Sequence, residues 1–299
     1  MALLTTGDIP NEILTIYSRE AIFAAFPNLY FRQFVKVKNE FQNEPGETVQ
    51  FLKLGNLPKG GQLASETNPI PKNKYSDSTV SIQVREYGNA TQISRRALEA
   101  SFRPMLQDAS VLLGRDYGLV LDEVCRDAFL SVANKQYGGG VAGTANIASG
   151  STFKTSEIKD AVETLKTLNV PMLSRGNDQH YVAIAHPHQL RSLRDDSAWI
   201  EAHKYANPEN IYNGEAGRYE NVVFLETTQM PILPAAGASS QDIYRAVLFG
   251  ADAVGFGETV PFQLLNDGIE DFGRLVSIAW YSIFGAGVIN DYGVEIQTS

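Results

Sequence analysis

His186 and His188 stand two residues apart, and Asp195 and Asp196 follow them. Imidazoles and a carboxylate in such an order could hold a divalent metal, with His186, His188 and Asp195 (or Asp196 in its place) as ligands and a position left open for water. A metal-dependent enzyme is therefore one reading of the chain. Pro187 opposes it, because proline at a first helical position starts a helix and turns the two imidazoles apart. No Cys or Glu stands at metal spacing beside them.

The remaining chemistry-bearing patterns break off early. Gly255-Phe256-Gly257 and Gly285-Ala286-Gly287 each begin a GxGxxG dinucleotide pattern and lack its third glycine, and no Walker-type phosphate loop occurs. There is no GxSxG nucleophile elbow, and His180, His186, His188 and His203 adjoin no nucleophile motif. The paired acids Asp122-Glu123 and Asp195-Asp196 read as solvated helix faces. Cys125 is the single cysteine, so it can close no intrachain disulfide, and it reads as a small apolar core residue. Asn89-Ala90-Thr91 matches a glycosylation sequon, which has meaning only for a secreted chain. These residues imply no catalytic site, no cofactor and no metal.

Composition narrows the class further. With 299 residues, 43% of them hydrophobic, the chain can bury one large core or two modest ones. Its formal charge is −9, from 34 acidic and 25 basic residues with no long basic run. The electrostatic attraction that drives phosphate binding is thus missing at the level of the whole chain, which argues against specific nucleic-acid binding. The first residues, Met1 to Thr6, show no basic segment followed by an apolar run, so no signal peptide is read and the expected setting is a cytoplasm. Leu275 to Asn290 is the longest uncharged apolar stretch, but Ser277, Ser282, Gly285 and Gly287 interrupt it. It is shorter than the roughly 20 residues a bilayer requires and reads as buried strand, not as a membrane span.

The elements that would position these residues can be read along the chain. Residues 1–46 hold short apolar clusters and two helical turns around Glu12 to Ala25, closed by Pro27; they have too little apolar surface to fold alone and read as an arm. Thr48 to Leu54 and Thr79 to Tyr87 are expected strands that pair as a hairpin. The connection between them, Gly55 to Ser78, carries Gly55, Gly60, Gly61, Pro58, Pro69 and Pro71 and is longer than the roughly 12–15 structureless residues a compact domain tolerates. A projecting two-stranded arm follows, and because an isolated hairpin is marginal in water it must gain order on another surface. Ser94 to Gln136 carries an apolar stripe through Leu106, Ser110, Leu113, Tyr117, Val120, Val124, Ala128 and Val132, which predicts a long helix starting or kinking at Pro104 and stopped by Gly138-Gly139-Gly140. A second helix is expected from Thr155, its N-cap, to about Asn169, then a buried strand at Tyr181 to Ala185 and a helix from Pro187 through Asp195. Strands at Val222 to Glu226, Tyr244 to Phe249, Leu275 to Ile283 and Val288 to Ile296 complete an α+β body.

One resemblance runs through these segments. His186-Pro187-His188-Gln189-Leu190, Leu193-Arg194-Asp195-Asp196, Trp199, Tyr205, Asn213-Gly214-Glu215-Ala216-Gly217-Arg218-Tyr219 and Val222-Val223-Phe224-Leu225-Glu226-Thr227 resemble the N-four-like family of tailed-bacteriophage major capsid proteins. Ala279 to Val288 is similar to that family's aromatic-and-glycine C-terminal strand. The resemblance implies an α+β Hong Kong 97-type capsid fold, with an N-terminal arm (1–46), an extended β-hairpin loop (47–90), a peripheral domain with a long spine helix (91–179), an axial domain (180–260) and C-terminal strands that return to the peripheral domain (261–299).

The implied function is structural: a major capsid protein that self-assembles into the icosahedral shell around the double-stranded DNA genome of a tailed phage. Its partners would be other copies of itself in pentamers and hexamers, a portal protein, and scaffolding and decoration proteins, any scaffold being a separate protein. Assembly would take place in the bacterial host cytoplasm and the product would be the virion capsid. Inter-subunit contacts are expected at the tip of the extended loop, from Leu57, Lys59, Leu63, Ile70, Lys72 and Lys74. Some relatives cross-link by a Lys–Asn isopeptide bond, for which Lys53, Lys59, Lys72 and Lys74 are conceivable donors. The alternatives are an encapsulin-like nanocompartment shell and, from another class, the metal-dependent enzyme built on His186, His188 and Asp195.

Overall fold

The computed structural model describes residues 29–38, 48–55, 57–62, 70, 72–176, 178–203, 217–271 and 274–299. The expected helical turns of Glu12 to Ala25 lie outside these residues. In chain order the elements are β1 (Lys36–Lys38), β2 (Thr48–Leu54), β3 (Asp77–Gln83), β4 (Arg85–Ser94), α1 (Arg95–Ala100), α2 (Met105–Leu130), β5 (Asn134–Tyr137), α3 (Thr155–Thr167), β6 (Leu173–Arg175) and β7 (Asp178–Ala185). They continue as α4 (Pro187–Arg194), α5 (Ser197–His203), β8 (Arg218–Tyr219), β9 (Val222–Glu226), β10 (Ile232–Leu233), β11 (Ile243–Phe249), β12 (Val254–Glu270), β13 (Leu275–Val288) and β14 (Gly293–Thr298). Among the described residues no helix is long and apolar enough to cross a membrane.

Two sheets share one core. The first runs in the order β1-β12-β13-β4, and the second β5-β14-β11-β7-β9-β8. Helix α2 bridges them because its buried residues, Leu113, Tyr117, Leu121, Cys125, Ala128 and Phe129, recur every three or four positions and draw one stripe. The front of the stripe lies on β13, where the Tyr117 ring meets Trp280 edge-on at 5.3 Å, and the rear lies on the second sheet, where Phe129 packs against Phe249 at 4.3 Å. The stripe is rotated from the expected one: Leu121, Asp122 and Cys125 are buried, whereas Val120 and Val124 are its half-exposed margin.

Strands β7 and β11 read as near-continuous apolar runs because both of their faces are covered. Val182, Ile184, Val247 and Phe249 point into the α2 core, while Tyr181, Ala183, Ala185, Ala246 and Leu248 point into a second core roofed by Ile158, Ala161 and Leu165 of α3, Leu190 and Leu193 of α4, and Trp199 of α5.

Several expectations are corrected. The long helix ends at Leu130, not Gln136, and the break at Ser101 to Pro104 separates it from α1. Residues 134–137 pair instead in parallel with Val294 to Gln297, since the open edge of β14 offers backbone groups that the last helical turns would leave unsatisfied. Thr155 does not cap α3 with its own side chain; the Asp196 carboxylate accepts from the Thr155 amide at 2.9 Å and from its hydroxyl at 2.5 Å. The domain boundaries expected at residues 90 and 260 fall inside β4 and β12. Helix α3 and strand β14 belong to the second sheet and its core, so the last strands do not all return to the α2 sheet.

Candidate assembly surface

Strands β2 and β3 pair antiparallel over their whole length, from Thr48 opposite Gln83 to Leu54 opposite Asp77, so the expected hairpin forms, with its second strand ending at Gln83 and not at Tyr87. Period-two alternation turns Val49, Phe51 and Ile82 to one side, where with Ile289 they make a small separate core at the hairpin's root.

The root is seated on glycines. In the β12/β13 ladder Gly255 lies opposite Gly287 and Gly257 opposite Gly285. A methyl group on Gly255 would fall 2.6 Å from Ile289 Cδ1 and 2.8 Å from the Phe51 ring, and one on Gly257 would fall 2.8 Å from Val49 Cβ. At Gly285 it would collide with the Gln83 carbonyl oxygen, and at Gly287 it would press on Ile82 at 3.2 Å. The two GxG words are thus a flat track on which the hairpin rests, a role for close backbone approach that requires glycine. The spacing of the words was visible in the sequence; their pairing across two strands was not.

Beyond the root the hairpin leaves the body. Leu57, Ile70 and Tyr75 are 57, 73 and 68% exposed, and Lys59, Lys72 and Lys74 are exposed beside them. Gly60 and Gly61 have nothing within 4 Å of where a side chain would begin. Leu63, the remaining residue expected at the tip, lies outside the described residues. Large apolar side chains thus stand exposed together on the described residues of this segment.

Other exposed apolar residues were missed by sequence reasoning. Phe102, in the break between α1 and α2, is 107% exposed; an aromatic just ahead of the helix-breaking Pro104 was the available signal. Leu112 and Leu119, two turns apart on the outer face of α2, are also exposed.

Residues 31–38, within the segment expected to be an arm, are anchored on the body. The Phe31 ring is fully buried 6.0 Å from Phe129, and the Phe31 and Arg32 amides donate to Asp122 Oδ1 at 2.7 and 3.0 Å. β1 then pairs in parallel with residues 255–257 of β12, Lys36 forms an ion pair with Asp252 at 2.9 Å, and the Lys38 ammonium donates to the Gln50 carbonyl at 2.9 Å. Asp122 is therefore no solvated helix face. It is fully buried, and desolvation raises its carboxyl above the ordinary range despite the opposing hydrogen bonds from the arm.

The histidines do not converge on a metal. His186 Nδ1 accepts from the His188 amide at 3.2 Å and so caps α4, and both imidazoles pack on Tyr244, at 5.0 and 4.3 Å between ring centroids. Burial, then the neighbouring His188, hold the His186 imidazole below its usual pKa. Asp195 sits at the far end of α4, and Asp196 is engaged with Thr155. Among the described residues no group of three or more His, Cys, Asp or Glu is placed to hold a metal ion.

A family model described as phage capsid protein matches residues 126–297. The chain belongs to the phage capsid protein family. Solved capsids share its fold. The capsid of Ralstonia phage GP4 matches with a TM-score of 0.76 at 18% identity, covering 90% of each chain. The capsid of cyanophage Pam1 matches at 0.74 and 16%, covering 89% of this chain and 88% of that one. The head of Helicobacter pylori bacteriophage KHP40 matches at 0.68 and 14%, covering 89% and 87%. No curated protein sequence matches. The fold of this capsid protein is the Hong Kong 97 type.

Proposed function

We propose that this capsid protein is the major shell subunit of a tailed bacteriophage and that its copies join, as pentamers and hexamers, into an icosahedral container for double-stranded DNA. The observation that carries the reading is the β2–β3 hairpin, seated on its glycine track at one end and exposing Leu57, Ile70 and Tyr75 at the other. Each exposed anchor finds its burial on a neighbour, and weak contacts repeated between linked subunits sum to a stable lattice. Lys59, Lys72 and Lys74 would lie at the rim of that contact together with Leu63. The net charge of −9 suits a wall that must not grip packaged DNA.

In this reading residues 1–46 are the arm and β2–β3 the extended loop. The peripheral domain comprises β4, the spine helix α2, β12 and β13, while the axial domain takes the second sheet with α3, α4 and α5. The N-four-like branch is favoured by the words around His186 to Asp196 and Val222 to Thr227. A portal, a scaffolding protein and decoration proteins are the further partners such a shell would use, and the host cytoplasm is where it would assemble. The subunit needs no catalytic role.

Expression of the full chain beside a variant in which residues 56–75 are replaced by Asn-Gly tests the proposal by electron microscopy and size exclusion. Closed shells from the full chain, and a folded monomer with an unchanged melting temperature from the variant, are expected. A full chain that stays monomeric at high concentration in all conditions would sink the reading, and shells filled with a protein cargo in place of DNA would favour the nanocompartment.

A further inference from the structure

Asp122 is a poor stabiliser. It lies at 0% exposure in the middle of α2, and its Oδ2 atom is buried without a hydrogen-bond partner among the described residues. A buried acid in this state adds less to stability than an apolar side chain of similar size would. What it supplies is direction. A single oxygen, Oδ1, receives the amides of two successive residues, Phe31 and Arg32, at 2.7 and 3.0 Å, and this is possible in only a narrow range of arm conformations. The Arg32 guanidinium then lies 4.1 Å over the Phe256 ring of β12, two residues along the same strand from the half-buried Glu258.

We propose that Asp122 and Glu258 form a charge-sensitive socket that fixes where the N-terminal arm leaves the body, with Asp122 as the residue that positions it. The inference rests on the capsid reading only for its last readout, shell assembly.

The charged and titratable groups facing the socket come from three elements. The arm contributes Arg32 and strand β12 contributes Glu258, while helix α2 contributes Tyr117, Cys125 and Arg126 beside Asp122 itself. β13 adds only the neutral Ser282 hydroxyl. Burial pushes the Cys125 thiol up to about 12 and holds the Tyr117 phenol neutral, and Arg126 is already paired with Glu123 at 2.9 Å and Asp127 at 2.7 Å. Asp122 and Glu258 are therefore the groups of the socket whose charge changes on acidification. Desolvation raises both carboxyls, against the arm amides at Asp122 and against Arg32 and Tyr117 at Glu258. When the arm lifts away, water reaches both groups and they return to the ordinary carboxyl range. Docking thus takes up protons. It is firmest below that ordinary range and loosens as pH rises through the raised values.

The test is hydrogen exchange at the Phe31 and Arg32 amides of the full chain between about pH 4 and 8, corrected for intrinsic exchange. In the wild type, protection should fall as pH rises. Asp122→Asn keeps an accepting oxygen without the charge, so it should hold the low-pH protection across the range, with only the residual slope due to Glu258. Asp122→Ala removes the acceptor and should lose roughly tenfold or more of the protection at every pH. Shells should form from the Asn variant and fail with the Ala variant. A wild-type slope that persists unchanged in Asp122→Asn overturns the socket, as does protection equal in the Asn and Ala variants. Should the Ala variant not fold, the slope of the Asn variant decides alone. Wild-type chain that shows the slope but builds no shell refutes the capsid reading and leaves the socket standing.

Discussion

Gly285→Ala should abolish shell formation while costing the subunit little stability. The added methyl collides with the Gln83 carbonyl oxygen and falls 3.1 Å from Val84 Cα, so backbone, and not a flexible side chain, must move. Overpacking of this kind costs about 1–3 kcal/mol. Releasing the hairpin altogether would expose Val49, Phe51 and Ile82, each worth about 1.5–3 kcal/mol, or roughly 5–9 kcal/mol together. The smaller cost wins, and the hairpin stays seated but tilted. A seven-residue strand is roughly 24 Å long, so a ~1 Å displacement across a root ~5 Å wide swings the far end by about 5 Å. That shift is enough to misplace Leu57, Ile70 and Tyr75 on a neighbour. The melting temperature should fall by roughly 2–10 °C, read by circular dichroism, and micrographs of the assembly mixture should show no closed shells. Gly60→Ala and Gly61→Ala, which meet nothing within 4 Å, serve as controls that assemble normally. Wild-type shell yield from Gly285→Ala, or a chain that no longer folds, would refute the tilting argument.

Arg245→Met should destabilise the second sheet by about 3–5 kcal/mol in urea unfolding, because it leaves the fully buried Glu295 without the guanidinium that meets it at 2.5 Å. Lys135 at 3.6 Å and the Gln297 amide at 2.8 Å replace only part of that contact, and adding Glu295→Met should recover most of the loss. A single variant as stable as wild type would show that the pair is not coupled. Asp196→Ala should cost about 1 kcal/mol at neutral pH through the lost α3 cap. The Thr155 hydroxyl and amide hold the Asp196 carboxyl below its usual range, so its contribution is present above the ordinary aspartate pKa and disappears as pH falls through the lowered value. Urea midpoints of the two proteins should therefore converge in acid, and parallel curves would contradict the cap.

Local signals read correctly wherever one segment's own pattern decides its state. Pro187 at a first helical position starts α4, the alternation at Val80 and Ile82 makes β3, and the apolar run at Tyr181 to Ala185 is a doubly covered strand. The hairpin could be read because its strands carry a period and the connection between them carries none. The helix start at Pro187 did not turn the two imidazoles apart as expected, since both His186 and His188 pack on the Tyr244 ring.

The amino-acid sequence by itself determined the class of the molecule: an acidic α+β chain with a hairpin whose two strands carry a period and whose connection carries none. Only the tertiary structure decided how these parts are held. Residues 134–137 left the helix because a distant strand edge satisfies their backbone. Asp122 looked like half of a solvated pair until the arm, some 90 residues away in the chain, brought its amides to it. The two GxG words gained their meaning when β12 and β13 set them opposite each other under Val49, Phe51 and Ile82. In each case the deciding partner is remote in sequence, and periodicity, a property of neighbours, carries no record of it.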